Sequence, residues 1–291
     1  MTGNFTAVAE FTERICTMHP VLVHLFSIPL HSYGVMLALS FLLSIWLASR
    51  RAKKNGLMPD VIADVGFWII MSAIIGARLY YVVLHPEEFS GHWASAINPF
   101  QGGSMVGIGG LVMYGGFIGA ILAGIVYFKL NKLPFLPYAD MTAPYIGLGI
   151  FLTRIGCFLN GCCYGGPTDS KFGVSFPLDS PAGVYQHECH AVGLYPSQLV
   201  ESCGGLLIMI IILLVGRKKT FAGFQFYLMG LLYAVLRFFD DFLRFYAPDE
   251  RILSLSHNQI VCIGLFILFG GLILKHIIFP NDHASEENPA A

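Results

Sequence analysis

Residues 153–166 read TRIGCFLNGCCYGG, and the rest of the chain is read outward from them. Arg154 sits at the edge of an apolar stretch, and three cysteines, one asparagine and four glycines follow within twelve residues. A charge beside a glycine-rich polar turn is expensive in an apolar setting, so it marks a site. The plainer alternative is an arginine that ends a helix and snorkels to the interface. The polar run continues beyond Arg154, and further arginines recur in apolar segments, which favours the site.

The composition sets the surroundings. Of 291 residues, 55% are hydrophobic and 12% charged, and the mean hydropathy is +0.66. A soluble domain carries about twice that charged fraction. The expected class is an all-α polytopic membrane protein. The net charge of −1 gives no case for nucleic acid. Residues 1–20 have no basic n-region or small-residue cleavage site, so the first spanning helix is expected to do the targeting.

A spanning helix needs about 20 mostly apolar residues. Seven are expected, at roughly 30–49, 62–84, 109–128, 141–159, 199–216, 222–239 and 259–278. Basic residues follow the first (Arg50, Arg51, Lys53, Lys54), third (Lys129, Lys132) and fifth (Arg217, Lys218, Lys219) spans, and Lys275 ends the seventh. The segment 85–108 has no Lys or Arg, and 160–198 has only Lys171. By the positive-inside rule the N-terminus is outside and the C-terminus cytoplasmic. Arg237, Arg244 and Arg251 break that rule, and anionic ligands or ion pairs explain them better than topology does. Residues 1–280 are expected to form one transmembrane domain, with a functional cap at about 160–198. Residues 281–291 read as a disordered cytoplasmic tail.

Arg154 and Arg237 are the strongest candidates for chemistry. Both fall near the outer ends of expected helices, and a planar guanidinium fork suits a phosphodiester. Two at headgroup depth suggest a phospholipid held by its phosphate. Arg78, in GARLYY, is either a third or half of a structural ion pair. Asp241 stands four residues after Arg237, the spacing of a pair on one helix face. Tyr33, Tyr114 and Tyr233 lie in or near apolar spans, where tyrosines usually anchor helices. Tyr114 stands out because Gly115 and Gly116 leave room beside it. The glycine-rich run GIGGLVMYGGFIGA either lets helices approach closely or turns backbone N–H groups to a ligand. His31 alone reads as structural.

Seven cysteines are an odd number. Cys16, Cys203 and Cys262 are scattered and read as small apolar residues. Cys157, Cys162, Cys163 and Cys189, with His187, Glu188 and His190, fall in one region. The spacing C-x4-C-C lacks the paired C-x2-C of structural zinc. A disulfide or plain packing, a metal site and a catalytic thiol all stay open, with no metal assigned.

Taken together, these residues resemble the bacterial prolipoprotein diacylglyceryl transferases over roughly 28–278. His31-Ser32-Tyr33-Gly34 looks like that family's His-x-Tyr-Gly, and Gly76-Ala77-Arg78 like its Gly-x-Arg. Tyr114-Gly115-Gly116 sits where most members have His-Gly-Gly. The run from Arg154 to Gly161 matches the signature Arg-x-Gly-Asn-Phe-x-Asn-Gly, including Asn160, and Gly165 matches a later glycine. Tyr195-Pro196-Ser197-Gln198-Leu199 looks like His-Pro-Ser-Gln-Leu, closed by Glu201. Tyr233, Arg237 and Asp241 match a Tyr, Arg and Glu of the sixth helix. Four residues depart: Tyr114 and Tyr195 replace histidines, Cys157 an asparagine and Cys162 a glutamate. In this the chain resembles a cysteine-rich branch.

The resemblance implies a seven-helix enzyme of the bacterial inner membrane that needs no cofactor. It would move the diacylglyceryl group of phosphatidylglycerol to the lipobox cysteine of a prolipoprotein signal peptide, releasing glycerol 1-phosphate. Arg154, Arg237, Tyr114, Tyr33 and Asn160 would be catalytic. Arg78, Gly115, Gly116 and Gly165 would join the two arginines in binding the lipid, with His31, Tyr233 and Asp241 in support. A thiol of ordinary pKa about 8.5 must lose its proton, and Tyr114 is the candidate base or relay. Two other readings remain: a phospholipid-binding enzyme that uses Cys162 or Cys163 on another acceptor, and a non-enzymatic lipid or metal carrier.

Overall fold

The structure, a computed structural model, describes residues 20–25, 28–89, 112–217, 221–244, 251–252 and 255–279. The expectations for the N-terminal segment with Cys16, for the tail and for most of the 85–108 segment lie outside these residues. What is described is mostly helical. The long helices are α1 (Ser32–Lys54), α2 (Pro59–Leu84), α4 (Met113–Leu130), α5 (Phe135–Asn160), α7 (Ser197–Val215), α8 (Phe224–Asp240) and α9 (His257–Ile278). Two short helices, α3 (Pro86–Phe89) and α6 (Pro181–Glu188), and a 3-10 turn (Asp241–Leu243) accompany them. Three two-stranded pairings complete the list: β1 (Val21–Leu25) with β2 (Ile28–His31), β3 (Pro167–Thr168) with β4 (Gly193–Leu194), and β5 (Arg251–Ile252) with β6 (Leu255–Ser256).

Five helices, α1, α2, α5, α7 and α9, are long and apolar enough to cross a membrane. The other two expected spans are helices of 18 and 17 residues, α4 and α8. At 1.5 Å per residue they reach about 27 and 25 Å, slightly short of a hydrocarbon core of about 30 Å.

Helix ends differ from the sequence reading by up to six residues. The first helix starts at Ser32 and His31 closes β2, so the His-x-Tyr-Gly run straddles a strand end and a helix start. The fourth expected span begins at Phe135 rather than 141. Pro144 inside that helix has no N–H to give the carbonyl of Asp140, and Arg51 Nη1 donates to that carbonyl at 2.9 Å.

The chain divides into two compact units. One holds Ile45–Met141, and the other Leu30–Ser44 with everything from Thr142 on. In the first unit, α2 and α4 pack through small residues. A Cβ on Gly76 would lie 2.4 Å from the Gly115 carbonyl oxygen, and one on Gly119 would lie 2.3 Å from that of Ser72. Of the two uses the glycine-rich run suggested, close helix approach is the one seen at Gly115 and Gly119.

In the second unit, α5 and α7 run antiparallel and touch backbone to backbone at Gly147 and Gly205. One turn further, Ser202 Oγ donates to the carbonyl of Phe151 at 2.9 Å. Helices α8 and α9 pack where Gly230 faces the ring of Phe269. The segment 160–198 carries its own small core of Phe176, Ala182 and Leu194, with Phe158, Tyr164 and Tyr185 against it.

Candidate functional site

The signature ends helix α5 in a Schellman turn. Gly161 takes the left-handed conformation (φ 66°) that glycine adopts without strain. The Cys162 N–H donates to the carbonyl of Cys157 at 3.0 Å, and the Gly161 N–H to that of Phe158 at 3.1 Å. This geometry brings together residues five apart, so a C-x4-C spacing with no metal-finger pattern still places two cysteines side by side. Cys163 follows at φ 59°. The sulfurs of Cys157, Cys162 and Cys163 all lie within 4.8 Å of one another. All three are free thiols, as are Cys189, Cys203 and Cys262. The thiols of Cys157 and Cys162, then the guanidiniums of Arg154 and Arg244, pull the Cys163 thiol below the ordinary thiol range. Asn160 stands against the Cys162 thiol.

The Pro-Ser-Gln run clamps this turn. Ser197 Oγ donates to the carbonyl of Cys163 at 3.1 Å and Gln198 Nε2 to that of Cys162 at 3.0 Å. Both side chains belong to the first turn of α7 and are fully buried. Gly165 and Gly166 exchange backbone bonds with Tyr195, and the Gly166 N–H donates to the carbonyl of Leu243. A Cβ on Gly165 would fall 2.6 Å from the Tyr195 carbonyl oxygen and 2.7 Å from that of Leu243. Backbone packing therefore requires glycine there. The close approach of α5 to α1 at Gly156 sets its backbone against Tyr33 and Met36.

Beside the turn lies a chain of ion pairs. Arg154 Nη2 meets Glu201 Oε1 at 2.9 Å, and Arg244 Nη2 meets Glu201 Oε2 at 3.1 Å. Arg244 Nε meets Asp240 Oδ2 at 3.2 Å, and Arg237 Nη1 meets the same oxygen at 3.0 Å. Arg237 Nη2 meets Asp241 Oδ1 at 3.1 Å, which is the expected i, i+4 pair. Ser256 Oγ donates to Asp241 Oδ2 and also caps α9, tying the network to that helix. Burial orders the six charges. The carboxylate side chains are 0–1% exposed, and the three arginines keep 12–20%. The carboxylates thus lie beneath, and the guanidiniums keep what contact with the surroundings the network has. Arg154 Nη1 also stands 3.9 Å from Cys157 Sγ, which links the network to the thiols. Tyr233 packs among Ala143, Ile208, Ile212 and Met229.

The other expected site residues fall in the first unit or at the helix surface. Arg78 lies over the rings of Phe89 (5.4 Å) and Tyr81 (5.7 Å). Tyr114 is 65% exposed, and Gly115 and Gly116 pack on α2. His31 is exposed and Tyr33 is 37% exposed. The sequence reading did not give Arg244, Asp240 and Ser256 places in the site. Positions 237, 240, 241 and 244 are spaced three, four and seven, one face of a helix, and four charges there are a legible signal.

A helical membrane protein with a buried arginine–carboxylate network over a signature turn is the class that fold and site define. The family model described as prolipoprotein diacylglyceryl transferase matches residues 20–275, and the chain belongs to that family. It is 32% identical over 262 residues to phosphatidylglycerol–prolipoprotein diacylglyceryl transferase 2 of Clostridium perfringens, covering 89% of this chain and 95% of that one. It is 35% identical over 253 residues to transferase 1 of the same organism, covering 85% and 92%. Against the Geobacter sulfurreducens enzyme of that name it is 32% identical over 256 residues, covering 86% and 92%.

Proposed function

We propose that this chain transfers the diacylglyceryl group of phosphatidylglycerol to the lipobox cysteine of prolipoproteins. The first step of lipoprotein maturation is then its role, in the bacterial inner membrane. The relatives carry that activity in their names. The observation that carries the reading is the guanidinium side of Arg154, Arg237 and Arg244, held over fully buried carboxylates. The three carboxylates bring the network's formal charge to zero and fix each fork, leaving N–H donors for an anion.

In the reaction a C–S bond forms between the acceptor sulfur and the glyceryl carbon, and the C–O bond to phosphate breaks. The electron pair leaves with glycerol 1-phosphate. Charge on that leaving phosphate grows in the transition state, where preorganised donors lower the barrier most. Arg154 and Arg237 take that role, with Arg78 in lipid binding; Gly115, Gly116 and Gly165, also expected to bind lipid, serve through the close backbone packing within their own units. Tyr114, Tyr33 and Asn160 serve proton transfer and positioning, and His31, Tyr233 and Asp241 support them.

The reading includes seven spans. Helix α8 continues into its 3-10 turn, which lengthens it by about 6 Å and compensates for its short reach. The N-terminus lies outside, and the C-terminal tail at 281–291 is cytoplasmic. Residues 1–280 form one transmembrane domain, with an outer cap at about 160–198.

The test uses purified protein in vesicles of phosphatidylglycerol with a lipobox peptide. The peptide is expected to gain one diacylglyceryl mass, with equimolar glycerol phosphate released. A peptide with serine in place of the lipobox cysteine is expected to gain none. No gain with a competent peptide would overturn the reading.

A further inference from the structure

We propose that Cys157, Cys162 and Cys163 bind a single thiophilic d10 cation of the zinc type, three thiolates holding it and a fourth position staying open. Three sulfurs already converge within 4.8 Å of one another. Zinc–thiolate bonds of about 2.3 Å place tetrahedral sulfurs about 3.8 Å apart, so side-chain rotations of an ångström or so close the site. A disulfide would join two of these sulfurs and leave the third beside it. A three-sulfur cluster is the donor set of a metal site with one vacant position.

Three independent features hold the thiols in place. The Schellman turn fixes Cys157 against Cys162. Buried Ser197 and Gln198 pin the carbonyls of Cys163 and Cys162. Cys163 occupies left-handed backbone at φ 59°, which costs a non-glycine residue about 1–2 kcal/mol. Such strain persists where the surroundings impose it, and here it turns a third thiol toward the other two. Arg154 Nη1 stands 3.9 Å from Cys157 Sγ as an outer-shell donor to the thiolates. Cys157 is buried and Cys163 exposed, so the cluster opens on the Cys163 side.

The use of the site rests on the proposed transferase activity. The open position takes the acceptor thiol, which releases its proton to solvent on binding. Its sulfur then forms the C–S bond as the C–O bond to phosphate breaks, and the neutral thioether, a weaker ligand, departs. Thiol activation is thereby supplied by the cysteine cluster itself, beside Arg154.

The experiment takes full-length protein in detergent under reductant, with zinc buffered at nanomolar free concentration, and measures bound metal by mass spectrometry. One equivalent is expected. Cys162→Ser and Cys163→Ser are each expected to weaken it by more than about 100-fold, the upper range for losing even an outer-shell partner, with Cys203→Ser unchanged. Cobalt(II) loading of unsubstituted protein gives a readout that needs no variant. Its thiolate charge-transfer band is expected to grow when a lipobox peptide is added, and not with the serine peptide. No stoichiometric metal, metal indifferent to both variants, or a disulfide joining two of the three cysteines as the isolated form would overturn the proposal. So would full transfer by chelated, metal-free protein. One bound zinc without any transfer would leave the site standing and overturn the transferase reading instead.

Discussion

Glu201 holds two arginines at once, one on each carboxylate oxygen, at 1% side-chain exposure. A buried pair recovers its desolvation only through close geometry, and removing one partner leaves an uncompensated charge. Glu201→Gln keeps the size and removes the charge common to Arg154 and Arg244. It is expected to lower unfolding stability by about 3–5 kcal/mol, measured by denaturant titration in detergent. Exposed Glu188→Gln is expected to change it by less than about 0.5 kcal/mol. A Glu201→Gln protein as stable as the Glu188 variant would mean the carboxylate does not organise the network. At this scale the arginines were legible and their partners only partly so. Arg154 and Arg237 are conspicuous as charges in apolar sequence. The i, i+4 partner Asp241 is also readable, because helix geometry alone fixes it. Glu201 stands 47 residues from Arg154, and only the antiparallel contact of α5 with α7 brings them together.

Helices were legible as elements and their ends were not. Runs of apolar residues locate a helix core, whereas ends are set by caps and tertiary partners that hydropathy does not record. Helix α1 continues through Arg50, Arg51, Lys53 and Lys54 to its last turn, where basic residues suit the negative end of the helix dipole. Helix α5 starts six residues before its apolar run, and Arg51 satisfies the carbonyl that Pro144 leaves open inside it. The convergence of the three sulfurs was not legible for a similar reason. Metal-finger patterns assume a tight C-x2-C turn, but a helix cap joins positions five apart. The loops between helices carry the charge signal for topology, and that signal predicts labelling. In spheroplasts, an impermeant thiol reagent is expected to label the exposed Cys189 of the proposed outer cap. A cysteine introduced as Asn131→Cys, between α4 and α5, is expected to react only after permeabilisation. The opposite pattern would invert the proposed orientation.

At the scale of the whole molecule, the candidate residues divide between the two units. The arginine network, the signature turn and the cysteine cluster belong to one, and Arg78, Tyr114 and the glycine-packed α2–α4 pair to the other. Membrane class was legible from composition alone, because 12% charge cannot solvate a chain of this size. The family was legible only from motifs in chain order, which physics explains after the fact: Gly161 for the helix cap, Gly165 for backbone contact, Ser197 and Gln198 as the clamp. In the proposed reaction Arg154 and Arg237 stabilise the leaving phosphate. The direct measurement is single-turnover transfer from phosphatidylglycerol to a lipobox peptide by Arg154→Ala and Arg237→Ala proteins shown to be folded. Losing a preorganised donor of transition-state charge typically slows a reaction by about 10²–10³-fold. Each variant is expected to lose at least about 100-fold in rate while Cys203→Ser keeps the full rate. Rates within a few-fold of the unsubstituted protein would contradict the account and place the phosphate elsewhere.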